Sequence, residues 1–309
     1  MSAEIEEKLL KVPVFKWLVM LLKKIILPGF KGLSLYDLLE TYVVGIIKGT
    51  FSSRATSIAY SFFVALFPFL LFILNLIPLL PIPGLQTKFL TFIENILPPQ
   101  TQEFFYPIIE DIALNPRQGL LSLVFFLSMF LAANGVNAIF SGFEYSFHVN
   151  INRNFLRQYF IALLVSIFLA LLLLITVGII GYGEFLINSL KGNDYITNDV
   201  FWISFLQYSV FVIMVYIIIA ILYYYGVKEG RKSRFFSIGA LVTTLLFMAT
   251  TYFFGVYINN FSNYNELYGS IGALLILMLY IWINANLLLL GFELNVSLRR
   301  LKEKCEIDD

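Results

Sequence analysis

The chain has 309 residues, of which 59% are hydrophobic and 13% are charged, and its net charge is +1. A soluble domain carries about a quarter charged residues, so this composition excludes an ordinary soluble protein and predicts an all-α membrane helix bundle. The single Cys and the single His exclude an internal disulfide and any metal site built from several thiolates or imidazoles.

The first 52 residues are predicted to form a segment that lies in the membrane interface on its cytoplasmic side. Residues 14–27 are apolar but too short to cross a bilayer, and lysines interrupt them, which is typical of a surface-lying amphipathic helix. Ser34 and Asp37 have the spacing of a capping box, and the apolar residues that follow recur at helical intervals. We therefore predict two N-terminal interfacial amphipathic helices.

Six stretches are long and apolar enough to cross a bilayer, because a hydrocarbon core of about 30 Å needs roughly 20 residues of helix. The predicted spans are residues 57–81, 120–143, 159–182, 200–225, 235–258 and 268–290. They define a membrane domain over residues 53–298, followed by a cytoplasmic tail over residues 299–309. Prolines break the connection at 84–119 into short pieces with apolar faces, which predicts a short helical cap on the outer side.

The basic residues predict how the bundle is oriented. Of the 21 Lys and Arg residues, 18 lie before the first span, between spans two and three, between spans four and five, or after span six. Cytoplasmic loops hold the excess of Lys and Arg, so both termini are predicted to be cytoplasmic. An odd number of spans would scatter these charges over both faces of the membrane.

Polar side chains in or near the spans are the candidate functional residues, because charges inside a membrane are costly and usually serve a function. Glu144 ends the second span and Glu293 lies late in the sixth, and either carboxylate could line a polar cavity or simply face water or an Arg at a helix end. Asparagines could line the same cavity or bond between helices. These asparagines include Asn134, Asn137, Asn284, Asn286 and Asn295.

Signatures of catalysis are absent from the sequence. It has no glycine-rich phosphate loop, no Cys/His cluster, no zinc-protease helix and no serine elbow, so we predict that the protein is not an enzyme and has no cofactor or metal. The basic loops are what topology alone demands, so membrane lipids rather than nucleic acid are the expected partners.

Several blocks of sequence resemble the YihY/BrkB family of bacterial inner-membrane proteins. The first is the stretch from Ser57 to Pro68, which includes Tyr60, and the second starts at Asn134. Later blocks begin at Tyr268-Gly269 and at Gly291, where a Phe at position 292 replaces the family's usual small residue. Tyr60, Pro68, Tyr268 and Gly269 are the marks of this resemblance.

The resemblance implies a six-span protein of the bacterial inner membrane. Family members were once labelled as a tRNA-processing ribonuclease, a label regarded as mistaken, and some relatives are linked with serum resistance or with export of lipid A precursors. The leading hypothesis is therefore a transporter or lipid-handling protein of the cell envelope. The alternative is a membrane scaffold that does not transport and that anchors an envelope protein partner through its outer cap.

Overall fold

The computed structural model describes residues 21–24, 26, 34–36, 38–39, 51–77, 84–96, 102, 106–107, 109–111, 113, 121–146, 154–192, 199–227, 234–261 and 270–307. The long helices in these ranges are α1 (Phe51–Leu76), α2 (Leu85–Ile96), α3 (Leu121–Glu144), α4 (Phe155–Gly192), α5 (Asp199–Gly226), α6 (Ile238–Phe261) and α7 (Ser270–Ile307). Within the described residues no strand forms, and the only extended pairing is an isolated bridge between Ile26 and Ser34.

All of these helices except α2 are long and apolar enough to cross a membrane, which confirms the six predicted spans and the all-α class. α1 begins at Phe51, ahead of the predicted start of the first span at Ser57, and α7 continues to Ile307, through the predicted tail. Hydropathy detects the apolar stretch, whereas the hydrogen-bonded helix extends beyond it into polar sequence. Most of residues 1–52, together with Tyr268 and Gly269, lie outside the described residues.

The six spans form a closed ring. Each span packs against the next one in the chain, and α7 packs against α1, which closes the ring between the last helix and the first. α3 also contacts α5 and α7, so it lies nearest to the middle of the ring. Small residues allow the closest approach, since a Cβ on Gly135 of α3 would lie 2.9 Å from the Cβ of Ala65 on α1.

The short helix α2 confirms that the cap predicted at residues 84–119 contains a helix. It packs on α4 and buries one apolar face, made by Leu85, Phe89, Leu90 and Ile93. Gln86 Nε2 donates to the carbonyl oxygen of Ala113 at 2.6 Å, which ties α2 to the end of the same connection. The opposite face of α2 is exposed and polar.

The two ends of the ring are packed differently. We call the end at which α1, α4 and α6 begin the basic end, because the excess of Lys and Arg flanks it, and we call the other the opposite end. α5 has no buried residue before Met214, and Phe254 and Ile276 form a small cluster apart from the main core. In their most apolar 18-residue stretches, α5 and α6 are each 28% buried, against 44% for α3 and α7. The core is therefore looser around α5 and α6 towards the opposite end, whereas α1, α2 and α4 remain packed in the main core there.

Candidate functional site at the basic end

A buried ion pair joins the first and the last helix of the ring. Arg54 lies in the first turn of α1, and its Nη2 donates to Oε1 of Glu293 on α7 at 2.9 Å. Arg54 is 5% exposed and Glu293 is 0% exposed, so both charges are withdrawn from water and from lipid. We call this contact the α1–α7 seam.

The C-terminal end of α3 and the residues just after it supply further partners for both charges. Arg54 Nη1 donates to the carbonyl oxygen of Gly142 at 3.0 Å, and Ser146 Oγ donates to Oε2 of Glu293 at 2.9 Å. The last carbonyls of a helix lack intrahelical partners, so the guanidinium satisfies one of them. A Cβ on Gly142 would lie 2.5 Å from Cδ1 of Ile58 on α1, so a larger residue there would force the Ile58 side chain to move.

An aromatic cluster lies beside the seam, where α3, α5 and α7 meet. The rings of Phe143 and Phe292 are stacked, with centroids 4.3 Å apart and planes 11° apart. The ring of Tyr223 packs edge-on against both, at 5.6 Å and 5.9 Å. All three side chains are buried. The Phe at position 292, which departs from the pattern of the resembling family, thus fills the centre of the basic end.

Polar contacts fix α6 against α5 and α7 at the same level. The Tyr223 hydroxyl donates to the carbonyl oxygen of Leu288 at 2.7 Å and lies 2.8 Å from Oγ1 of Thr243. The Thr243 hydroxyl in turn reaches the Gly239 carbonyl oxygen at 2.8 Å. A Cβ on Gly291 would lie 1.7 Å from Thr243 Oγ1, so α6 and α7 can meet here only because position 291 is a glycine.

Asn295 joins the start of α6 to α7. Its Oδ1 accepts from the backbone N–H of Gly239 at 2.8 Å, and its Nδ2 donates to Oγ of Ser237 at 2.8 Å. The first backbone N–H groups of a helix have no intrahelical acceptor, so Asn295 acts as a capping residue supplied by another helix.

A small cleft opens between the basic ends of α5, α6 and α7. Its volume is about 20 Å³, which is room for one water-sized group. Tyr223 and Phe292 form part of its wall. The remaining lining residues are Tyr224, Val227, Arg234, Ser237, Asn295, Val296 and Arg299.

The structure does not bring the candidate residues Glu144, Glu293, Asn134, Asn137 and Asn295 together at one site. Glu293 is in the buried seam, and Asn295 lines the cleft. Glu144 is half-buried at the end of α3, facing Gln158 of α4. Asn134 is exposed in the middle of α3 and Asn137 is half-buried one turn further on.

The Gln158 amide fits best with its nitrogen towards Glu144. In that orientation Nε2 donates to both carboxylate oxygens, at 2.7 Å and 3.1 Å, and Oε1 accepts from the Ser141 hydroxyl at 3.1 Å. Two family marks also lie away from the seam, since Tyr60 is 64% exposed and Pro68 is half-buried in the middle of α1.

Sequence reasoning missed Arg54, Ser146 and Tyr223 as site residues. Arg54 counted only as one of the basic residues that set the orientation, although an Arg next to Glu293 was one of the alternatives for that carboxylate. The available signal was that both residues lie at the same predicted end of the bundle. Which Arg pairs with Glu293 depends on ring closure between residues 239 positions apart, which no local pattern reveals.

Comparison with known proteins gives one family. The family model of virulence factor BrkB matches residues 45–307, which is most of the chain. A ribonuclease-like protein of Bacillus subtilis strain 168, YfkH, is 28% identical over 254 residues, covering 81% of this chain and 91% of the relative. A UPF0761 membrane protein of Coxiella burnetii strain Dugway is 26% identical over 248 residues, covering 77% and 84%. No solved structure matches.

Proposed function

Because the chain belongs to the BrkB family of membrane proteins, we propose that it handles lipid in the cell envelope, through a bundle that opens and closes at its basic end. The observation that supports this proposal is the fully buried Arg54–Glu293 pair, which holds the ring closed between its first and last helices. The proposal includes a place in the bacterial inner membrane with both termini in the cytoplasm, because the basic residues favour that orientation.

A buried ion pair is not the most stable contact with which to hold two helices permanently together. Burying two charges costs several kcal/mol per ion, and an apolar contact of similar volume is often as stable or more so. An ion pair nevertheless suits a contact that must also open, since Arg54 and Glu293 would be hydrated once water or a polar headgroup entered the seam. An apolar contact would expose its surface to water on opening. The pair therefore fits a two-state seam.

The looser packing of α5 and α6 towards the opposite end supports the same proposal. Transport proteins commonly alternate between states that are closed at one end and less closed at the other, with one part of the bundle moving against the rest. Here the basic end holds the ion pair and the aromatic cluster, whereas α5 and α6 bury few of the described side chains in their opposite-end halves.

The test uses the purified full chain in vesicles of phosphatidylethanolamine and phosphatidylglycerol that contain a fluorescent phospholipid. Movement between leaflets is measured as the fraction of label that an impermeant quencher reaches with time. We expect faster movement than in empty vesicles. Glu293→Gln should raise the rate about fivefold or more, the change expected when the closed state loses about 1 kcal/mol.

The matched control is Glu184→Gln at the opposite end. Glu184 accepts a hydrogen bond from Gln207 at 2.8 Å, so this variant makes the same chemical change away from the seam. Gel filtration checks that both variants are folded. The proposal fails if vesicles with protein move lipid no faster than empty ones, or if both variants change the rate equally.

The scaffold alternative receives less support from the structure. An apolar docking surface on the predicted cap would be its simplest form, but the apolar face of α2 is already buried against α4, and its exposed face carries Thr87, Lys88, Thr91 and Glu94. Capture of a stoichiometric partner that is lost on deleting residues 86–118 would favour the scaffold over lipid handling.

The ribonuclease-like name of the Bacillus subtilis relative stays with that protein. Metal-dependent RNA cleavage needs several acidic or imidazole ligands at one place. Among the residues that the structure describes, no three His, Cys, Asp or Glu side chains lie close enough together to hold a metal ion. That the chain is not an enzyme stays a prediction, and cleavage of RNA by highly pure protein would overturn it.

A further inference from the structure

We propose that the cleft between α5, α6 and α7 binds the phosphate group of an anionic ligand, with Arg234 and Arg299 as its positive walls. The inference deepens the proposed lipid-handling role, because it names the chemical group that the basic end recognises, and its biological use rests on that role. Phosphate binding itself does not depend on lipid movement.

The first argument is that two arginines from separate elements line the same small cleft. Arg234 precedes α6 and is exposed, whereas Arg299 is on α7 and is half-buried, and both line the cleft. Within the described part of the chain, the lining of the cleft includes no acidic side chain. Arginine presents a planar fork of donors that matches the oxygens of a phosphate in a bidentate manner. The excess of Lys and Arg in cytoplasmic loops explains why positive charge is at this end of the bundle. It does not require arginines from separate elements to share one cleft.

The second argument is the hydrogen bonding of Ser237. Its Oγ accepts from Asn295 Nδ2 at 2.8 Å and from the Ala240 N–H at 3.3 Å. A hydroxyl has two acceptor lone pairs and one O–H donor, so both lone pairs are used and the hydrogen is left to donate. Because Asn295 holds this hydroxyl at the cleft, the site has an oriented neutral donor beside the two cations.

The size of the cleft limits what can enter it. An enclosed volume of about 20 Å³ has room for one water-sized group, such as one oxygen atom of a phosphate. The rest of the ligand must therefore remain outside the mouth. The cleft is at the ends of the spans, the level at which lipid phosphates lie, so the phosphate could belong to a lipid headgroup or to a small soluble phosphate.

The site is connected to the seam through α7. Phe292 forms part of the cleft wall and precedes Glu293, which makes the ion pair with Arg54. Asn295 and Arg299 follow on the same helix within two turns. A ligand that draws Arg299 or Asn295 towards the cleft would move the stretch of α7 that closes the ring.

The test measures binding to the full chain in detergent by native mass spectrometry. Phosphatidylglycerol is compared with diacylglycerol, which has the same chains without the phosphate, and inorganic phosphate is added as a competitor. We expect phosphatidylglycerol to bind and diacylglycerol not to bind. Arg234→Gln and Arg299→Gln should each weaken binding about tenfold or more, as for loss of a charged hydrogen bond.

Two further sets of variants keep the proposal falsifiable. Arg300→Gln is the matched control, because Arg300 follows Arg299, is exposed, and does not line the cleft, and it should weaken binding less than about twofold. Arg234→Lys and Arg299→Lys keep the charge but lose the fork, so they should bind more weakly than the native protein and more tightly than the Gln variants.

The outcomes separate the two sources of phosphate and the two proposals. Displacement of phosphatidylglycerol by equimolar inorganic phosphate would assign the site to soluble phosphates, and its persistence would assign the site to lipid headgroups. Equal weakening by Arg300→Gln, or equal binding of diacylglycerol, would overturn the site. If the arginine variants lose binding while vesicles show no lipid movement, the site stands and the proposed function falls. If lipid moves but the arginine variants bind phosphatidylglycerol as tightly as the native protein does, the proposed function stands and the site falls.

Discussion

The two ends of the bundle are held by different kinds of contact. At the basic end, charged and polar side chains cross between helices, from Arg54 to Glu293 and from Asn295 to Gly239. Towards the opposite end, the side-chain bonds between helices are between partly exposed neutral or singly charged groups, Gln207 with Glu184 and Thr251 with Tyr280, and Phe254 packs in a small cluster apart from the main core. Directional bonds define one arrangement of helices, whereas an apolar contact inside lipid gives little driving force for association. We therefore expect the helices to keep one fixed arrangement at the basic end and to change their arrangement more readily at the opposite end.

The largest effect should come from breaking the seam. Arg54→Ala leaves the buried carboxylate of Glu293 without its cation, and breaking a buried pair costs about 3–5 kcal/mol. Unfolding of the purified protein by a denaturing detergent measures the loss. Glu184→Ala at the opposite end is the control and should cost less than about 1 kcal/mol. Equal losses of stability in the two variants would mean that the polar contacts of the basic end are no stronger than those of the opposite end.

The double substitution Arg54→Met with Glu293→Leu sharpens this test. Replacing both ions by apolar side chains of similar size is often neutral or stabilising, so most of the lost stability should return. A stable double variant that moves lipid at a changed rate would separate the functional role of the pair from its structural role.

The next largest effect should come from Gly291→Ala. The new Cβ would lie 1.7 Å from Thr243 Oγ1 and 2.6 Å from the Tyr223 hydroxyl oxygen, so α6 and α7 must separate. Overpacking of this kind costs about 1–3 kcal/mol. Gly255→Ala on α6 is the matched control, because nothing lies within 4 Å of its Cβ position, and the better helix propensity of Ala should leave stability unchanged or slightly raised.

Tyr223→Phe tests the hydroxyl network alone. The ring and its contacts with Phe143 and Phe292 remain, while the hydrogen bonds to Leu288 and Thr243 are lost. Hydrogen bonds between membrane helices contribute about 0.6 kcal/mol each, so we expect a loss of about 1 kcal/mol. Tyr280→Phe is the comparison, since its hydroxyl meets only the exposed Thr251 at 2.7 Å, and it should cost less in the same unfolding measurement.

Much of the fold could be predicted because it depends on local properties of the sequence, such as the length of each apolar stretch. Span number follows from apolar length, and the structure confirms it. Ring closure could not be predicted, because it depends on how α7 returns to α1. For the same reason Glu293 could be singled out by its cost in a membrane, but its partner Arg54 could not be identified.

The bonding partners of the asparagines in the spans also could not be predicted from the sequence. Composition places several in the spans, and bonding between helices is a reasonable expectation for all of them. In the structure Asn295 does bond to another helix, whereas Asn284 and Asn286 each donate to the carbonyl four residues earlier in α7. Which of these applies depends on whether a neighbouring helix is within reach, and only the packed bundle determines that.

This difference leads to the smallest predicted effect. Asn286→Ala removes a bond of 2.7 Å to the Trp282 carbonyl, which is already part of the helix, and it introduces a better helix former. The free energy of unfolding should be unchanged or should rise by up to about 0.6 kcal/mol. Asn295→Ala, by contrast, removes bonds to Gly239 and Ser237 on another element and should cost about 1 kcal/mol. If Asn286→Ala cost as much as Asn295→Ala in the unfolding measurement, polar contacts between helices would not be what distinguishes the basic end.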